Sequence, residues 1–311
     1  MKNKSTAAGH VAAFITILIW GTTFISTKVL LRSFEPVEIL LYRFAIGFLV
    51  LFLINPRRLK LTDKKQEFLF AAAGLSGVTL YFLLENIALT YSMASNVGVI
   101  ISAAPFFTAI LVRFFEHGEK PGKRFYLGFG AAILGIILIS FNGSSVFKLN
   151  PLGDLLAVIA AFLWAVYSIL TRKISAFGYS TVQTTRHIFF YGLLFMIPAL
   201  FFFDFHPSAE KILQPGNLLG ILYLGLGASA LCFVTWNFAV KLLGAVKTSV
   251  YIYLVPVITV VTSALVLHEK ITLMAGCGTV LTLLGLVLSE QTSSRKKHRS
   301  ETDRKGEAEL I

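Results

Sequence analysis

The chain has 311 residues, of which 56% are hydrophobic and only 14% charged, with 28 Phe and a formal net charge of +12. A soluble globular chain carries about 25% charged residues, so this one lacks the polar surface to fold in water, and a membrane class comes first. The positive excess would suggest a nucleic-acid partner until its placement along the chain is followed.

A bilayer crossing takes about 20 apolar residues. Ten segments qualify and are predicted as helices: 10–31, 36–54, 67–90, 94–114, 124–141, 152–171, 181–203, 217–240, 244–267 and 272–290. Lys2 and Lys4 precede the first, but its apolar run is span-length and no small-x-small pattern follows promptly. It is read as a retained helix, not a signal peptide. Basic residues gather in alternate loops, at Arg57, Arg58, Lys60, Lys64 and Lys65, at Lys120, Lys123 and Arg124, and at Arg172 and Lys173. The C-terminal tail continues this set, while the opposite loops hold only Arg32, Lys148, Lys211 and Lys270. Positive loops stay inside, so both termini are expected in the cytoplasm of a multi-pass protein of the cell membrane. Topology then accounts for the charge, and no nucleic-acid partner is needed. The tail, 291–311, is polar and mixed in charge, which predicts disorder. Cys232 and Cys277 lie in apolar runs without metal or haem spacing and read as buried thiols.

The stretch Glu85–Pro105, ENIALTYSMASNVGVIISAAP, returns 151 positions later as Trp236–Pro256, WNFAVKLLGAVKTSVYIYLVP. Gly74 then falls on Gly225, Leu80 on Leu231, Asn86 on Asn237 and Pro105 on Pro256. With small drifts in the loops, Trp20 matches Trp164, Lys28 matches Arg172, and Gly128 and Gly135 match Gly278 and Gly285. A repeat governs the fold reading. It divides the chain into a cytoplasmic N-terminus at 1–9, a first five-helix repeat at 10–141, a second at 152–290, and the tail. Five is odd, so the second copy must enter the membrane inverted. The predicted fold is an all-α integral membrane protein of ten transmembrane helices in two inverted five-helix repeats, an architecture recurrent among secondary transporters.

These features together resemble the EamA family of the drug/metabolite transporter superfamily. The resemblance rests on the Trp-bearing first helix of each half (LIWGTTF around Trp20, FLWAVYS around Trp164), on the mid-helix Pro105 and Pro256 of the fourth, and on the Glu-Lys pairs that follow, Glu119-Lys120 and Glu269-Lys270. It spans about residues 10–290. It implies alternating-access movement of small metabolites, often amino acids, or of drugs, with export favoured over uptake. It does not fix the substrate.

An ionisable group at membrane depth is a functional candidate by default. Glu85 is the one acid well inside a span, and depth counting puts Arg43 and Lys28 near its level. The three form either an ion pair pinning helices 2 and 3 together, an outer gate, or a proton-coupling site. Neighbouring cations favour a carboxylate's charged form, which places gate or structure ahead of coupling. In the second half Trp236 stands in the position of Glu85, so Arg186, His187 and Lys247 are expected to lack an intramembrane acid. Arg186 and Lys247 would then meet an anionic substrate or snorkel to lipid head groups. Pro105 and Pro256 are expected as kinks that free the carbonyls of Ile101 and Ile252 toward a cavity. Ser102, Thr108, Thr248, Tyr251 and Thr259 would supply polar groups there. Trp20 and Trp164 sit mid-helix, away from the head-group belt, either filling the core or walling a cavity. The candidate substrate-binding residues are thus Trp20, Ser102, Trp164, Arg186, Trp236, Lys247 and Tyr251. The expected lining comes from helices 1, 3, 4, 6, 8 and 9.

No Walker spacing is present, since GAVKTS at Gly244–Ser249 lacks it, so no nucleotide is expected. Neither HExxH nor a serine elbow occurs, and no cofactor or metal is expected. The reading is a secondary transporter of a small organic metabolite embedded in the lipid bilayer, as a monomer or homodimer. The alternatives are a membrane-embedded enzyme or a channel.

Overall fold

The computed structural model describes residues 2–92, 94–115, 122–140, 151–203, 205–267, 273–274, 276–285 and 287–289, and the regular structure among them is all helical. Helix α1 covers Lys2–Leu30 and α2 covers Pro36–Ile54. The start of α2 follows from its sequence: Pro36 occupies the first turn, and Glu35 and Glu38 form a capping box in which the Glu35 N–H donates to Glu38 Oε2 at 2.9 Å. Next come α3 (Gln66–Tyr91), α4 (Ala94–Ile101), α5 (Ala104–Phe115) and α6 (Lys123–Ser140). The second half supplies α7 (Pro151–Ser175), α8 (Thr181–Phe202), the short α9 (Ala209–Leu213) and α10 (Pro215–Leu243). It ends with α11 (Ala245–Ser249), a 3-10 turn at Val250–Tyr253, α12 (Leu254–Leu267) and α13 (Gly276–Ser289).

Six of these helices, α1, α2, α3, α7, α8 and α10, are long and apolar enough to cross a membrane. Their outer faces expose Phe14, Leu53, Phe68, Phe201, Phe202 and Leu219, a surface suited to hydrocarbon and not to water. The expected fourth and ninth spans are each broken into pieces. This corrects the expectation of a mid-helix kink. Pro105 sits in the first turn of α5 and Pro256 in that of α12, where a missing N–H costs no helical hydrogen bond. Glu119-Lys120, Lys148, Glu269-Lys270 and the tail lie outside the described residues. The sequence reading placed both thiols in the interior, but Cys277 is exposed and only Cys232 is buried.

Contacts cross between the halves in exchanged pairs. α3 packs on α7 and α8, while α10 packs on α1 and α2; α5 packs on α7, while α12 packs on α1. Both α3 and α10 widen into π-helical turns, Leu75–Leu80 and Tyr223–Leu231, ending at repeat-matched leucines. Such turns are rare and frequent at functional sites. Glycine makes two of the approaches possible. A Cβ on Gly74 would lie 2.7 Å from the Gly192 nitrogen and the Ile188 oxygen of α8. On α6, a Cβ at Gly128 would lie 2.7 Å from the Gly285 oxygen, and one at Gly135 2.5 Å from the Gly278 oxygen. Rising numbers on α6 meet falling numbers on α13, so these repeat-matched helices run antiparallel.

Between the halves sits an aromatic core. The Phe233 ring lies 5.0 Å from Phe189, 5.6 Å from Phe44, 5.7 Å from Tyr167 and 5.9 Å from Trp20, with edge-to-face geometry at each. Such pairs contribute about 0.5–1.5 kcal/mol each beyond area burial.

Candidate functional site

A cavity of about 40 Å³ opens beside that core, smaller than an occupied small-molecule site. α1 lines it with Trp20, Thr23 and Phe24, and α3 with Tyr81, Phe82 and Glu85. Each set is spaced three and four residues apart, which puts its members on one helical face. Arg43 enters from α2, and Gly98, Ile101 and Ser102 from α4. The second half contributes Trp164 on α7, Ile252 in the 3-10 turn and Val255 on α12. Ile101 and Ile252, each four residues before a repeat-matched proline, therefore reach the same space. The helix breaks bring them there.

The charged wall does not hold the ion pair that was one of the readings offered for Lys28, Arg43 and Glu85. Arg43 is buried, its Nε donates to Ser229 Oγ at 3.0 Å, and its guanidinium carbon lies 4.2 Å above the Phe82 ring and 5.2 Å above that of Phe44. A desolvated cation over aromatic faces gains about 2 kcal/mol, so α10 and Phe82 hold this side chain. Lys28 donates to the carbonyl of Leu89. Glu85 is buried with the Tyr81 hydroxyl in hydrogen-bonding reach, but its Oε2 has no hydrogen-bond partner. Among the described residues no ion pair joins Glu85 to either cation.

The two matched tryptophans also differ. Trp20 Nε1 donates to the Ala228 carbonyl at 3.0 Å, whereas the Trp164 indole N–H is buried without a partner. Their rings meet edge-on at 5.1 Å.

Several candidates fall elsewhere. Trp236 is fully buried behind Trp20 and Trp164, with ring centroids 5.1 and 5.8 Å away, and does not line the cavity. The lining thus comes from α2 where the eighth span was expected. Arg186 donates to the backbone oxygens of Asn55 and of Arg57, the latter at 2.7 Å. It caps the C-terminal end of α2, where carbonyls lack helical partners, and does not line the cavity. Lys247 is half-buried on α11, outside the lining. Tyr251 bonds His10 Nδ1 at 2.6 Å across to α1. Of the proposed hydroxyls only Ser102 lines the cavity, and it donates to Gly98 O at 2.7 Å. Thr108 and Thr248 likewise bond back to Ala104 and Gly244, at 2.9 Å each. The side chain of Thr259 lies outside the described residues.

An acid does reach the second half. Glu67 Oε2 accepts from the Tyr191 hydroxyl at 2.7 Å and pairs with His187 Nε2 at 2.8 Å. The sequence reading set Glu67 aside as a span-end residue and so missed this contact. It also passed over Thr23, Phe24, Tyr81 and Phe82. The signal was present, since each stands three or four residues from Trp20 or Glu85.

This is the architecture of a helical membrane transporter with a cavity between two repeated halves. The EamA-like transporter family model matches residues 7–141 and 151–290, and the chain belongs to that family. It is 28% identical over 286 residues to an uncharacterized transporter of Archaeoglobus fulgidus, covering 90% of this chain and 96% of the relative. It is 26% identical over 295 residues to a probable amino-acid metabolite efflux pump of Escherichia coli, covering 90% and 93%. A solved crystal structure shares its fold, with a TM-score of 0.73 at 18% identity over 93% of this chain and 98% of that one.

Proposed function

We propose that the protein is a secondary transporter that exports a small organic metabolite, an amino acid or a related compound, by alternating access between two inverted five-helix halves. In this reading ten spans cross the cell membrane and both termini are cytoplasmic. The amino-acid class draws on the name of the Escherichia coli relative. The antiparallel pairing of α6 with α13, through glycines that match in the repeat, supports the inversion. Two copies in the same orientation would run those helices parallel.

The observation that carries the function is the cavity itself. It is walled by both halves and charged on one side only. On the opposite side three positions equivalent to its lining carry Trp236, Tyr167 and Tyr253, all fully buried, the first two in the main core and Tyr253 in a smaller cluster beside Phe129. A hollow closed on one side by a removable aromatic plug is what alternating access requires, because rocking the halves must open that plug while closing the other side.

The test is reconstitution in proteoliposomes with labelled amino acids inside or outside, with and without a proton gradient. Saturable counterflow, lost on Glu85→Trp, is the expected outcome. Non-saturating flux would identify a channel, and chemical conversion of the label would identify an enzyme.

A further inference from the structure

We infer that the cavity selects an ammonium-bearing organic molecule, whose cation meets the free oxygen of Glu85 and whose hydrogen-bond acceptor meets the Trp164 indole N–H. The inference rests on reading this cavity as the transport site. Its first warrant is a pair of complementary vacancies. Glu85 Oε2 is an acceptor and Trp164 Nε1 a donor; both are buried, both lack a partner, and both residues line the same space. Leaving such groups unmatched in an apolar interior is costly, and for a charged acceptor it costs more. A ligand that supplies an N–H donor and an acceptor removes both costs together.

The second warrant is the wall. Trp20, Phe24, Tyr81, Phe82 and Trp164 line the same cavity with aromatic rings, whose faces attract cations and oppose anions. Arg43, the one cation in the lining, is already held by Ser229 and by the Phe82 ring face. The cations that the sequence offered to an anionic substrate do not serve it here, since Arg186 bonds the backbone oxygens of Asn55 and Arg57 just past α2 and Lys247 lies outside the lining. The recognised charge is therefore positive, opposite to the anion that the sequence held open for Arg186 and Lys247. With Arg43 alongside Glu85 a zwitterion fits as well as a simple amine, provided that the ammonium is present.

The experiment uses the chain's three tryptophans as reporters, because two line the cavity and the third packs against both. Intrinsic fluorescence of the purified full chain is titrated with isoamylamine, leucine, isocaproate and isoamyl alcohol, which share one apolar body and differ in head group. Isoamylamine and leucine are expected to bind saturably, with isocaproate and the alcohol weaker by about tenfold or more, the scale of one charge-assisted hydrogen bond. Glu85→Gln is expected to weaken isoamylamine by about tenfold. Trp164→Phe, which keeps a ring and removes the donor, is expected to weaken leucine a few fold relative to isoamylamine. Isocaproate binding as tightly as isoamylamine, or no saturable binding of any of the four, overturns the inference. So does unchanged isoamylamine affinity in Glu85→Gln; if that variant does not fold, the ligand series on the native chain and on Trp164→Phe decides. Amine-selective binding without flux in proteoliposomes defeats the transport reading and leaves this one standing. Saturable flux of isocaproate without amine binding does the reverse.

Discussion

At three places where the first half lines the cavity with a small or charged side chain, the second half has an aromatic ring. Thr23 corresponds to Tyr167, Glu85 to Trp236 and Ser102 to Tyr253. Those three aromatics are also the three largest fully buried side chains among the described residues. The backbone features are shared by both copies: the π-turns, the break before the fourth span's proline, and the crossed packing on the partner half. The two copies thus share one scaffold, and at these three positions side-chain volume fills the second-half side. The filled side is not an ordinary core. The Trp236 indole N–H and the Tyr253 hydroxyl are buried there without partners, and each such group left unmatched costs about 1–3 kcal/mol. A seam carrying that cost opens more readily than an apolar one.

The largest effect is expected at the crossing of the halves. Gly74→Leu should yield no folded protein, because any Cβ at that position meets α8 backbone at 2.7 Å, and backbone on both sides cannot give way. Its match Gly225 meets only Ile46 side-chain atoms, the nearest at 2.7 Å. Gly225→Ala should therefore cost about 1–3 kcal/mol, and Gly74→Ala more. Equal shifts of the two alanine variants in thermal melting would mean that the halves cross with the same tolerance.

Trp236→Ala comes next. Truncating a fully buried Trp costs about 3–5 kcal/mol, and here it would also hollow the filled side. Lower thermal stability together with solute leak through reconstituted vesicles is the expected pair of results. Lowered stability with no leak would show that Trp236 is packing alone and that the closure lies elsewhere.

How much of this was readable beforehand divides along the same line. Periodicity, Lys/Arg placement and the repeat carry the helices and the doubling, because each is a property of the chain's order. Trp20, Trp164, Ser102, Arg43 and Glu85 were marked by residue type, and all five do line the cavity. Their partners were not readable. That Arg43 would lie on the ring of Phe82 and bond Ser229 depends on how α2 crosses α10, and no spacing within one helix encodes a crossing between two. Residue type misled at Arg186, where the long side chain turned back to the carbonyls of Asn55 and Arg57 just past α2. It misled again at Trp236, where a ring expected at the wall was drawn behind its two neighbours.

Tyr253→Phe is a smaller and finer test. It removes an unpartnered buried hydroxyl and keeps the ring, so it should stabilise the filled state by about 1 kcal/mol. If, as proposed, that is the state in which the plug is seated, melting temperature should rise while turnover falls. A rise in both would detach Tyr253 from the moving seam.

The smallest effect is expected from Lys247→Ala, and its smallness is what makes it informative. Lys247 lies only six residues before Tyr253 in sequence, yet it sits half-buried on α11, outside the residues that face the cavity. If charge recognition is confined to the first-half wall, its removal should leave the affinities for isoamylamine and isocaproate each within about twofold, well under the 1.4 kcal/mol that a tenfold change represents. A selective loss of isocaproate would mean that the space continues past the Tyr253 ring to α11 and offers an anion a second-half cation. The two sides would then both recognise charge, with opposite signs, and the contrast between a hollow side and a filled one would no longer describe the molecule.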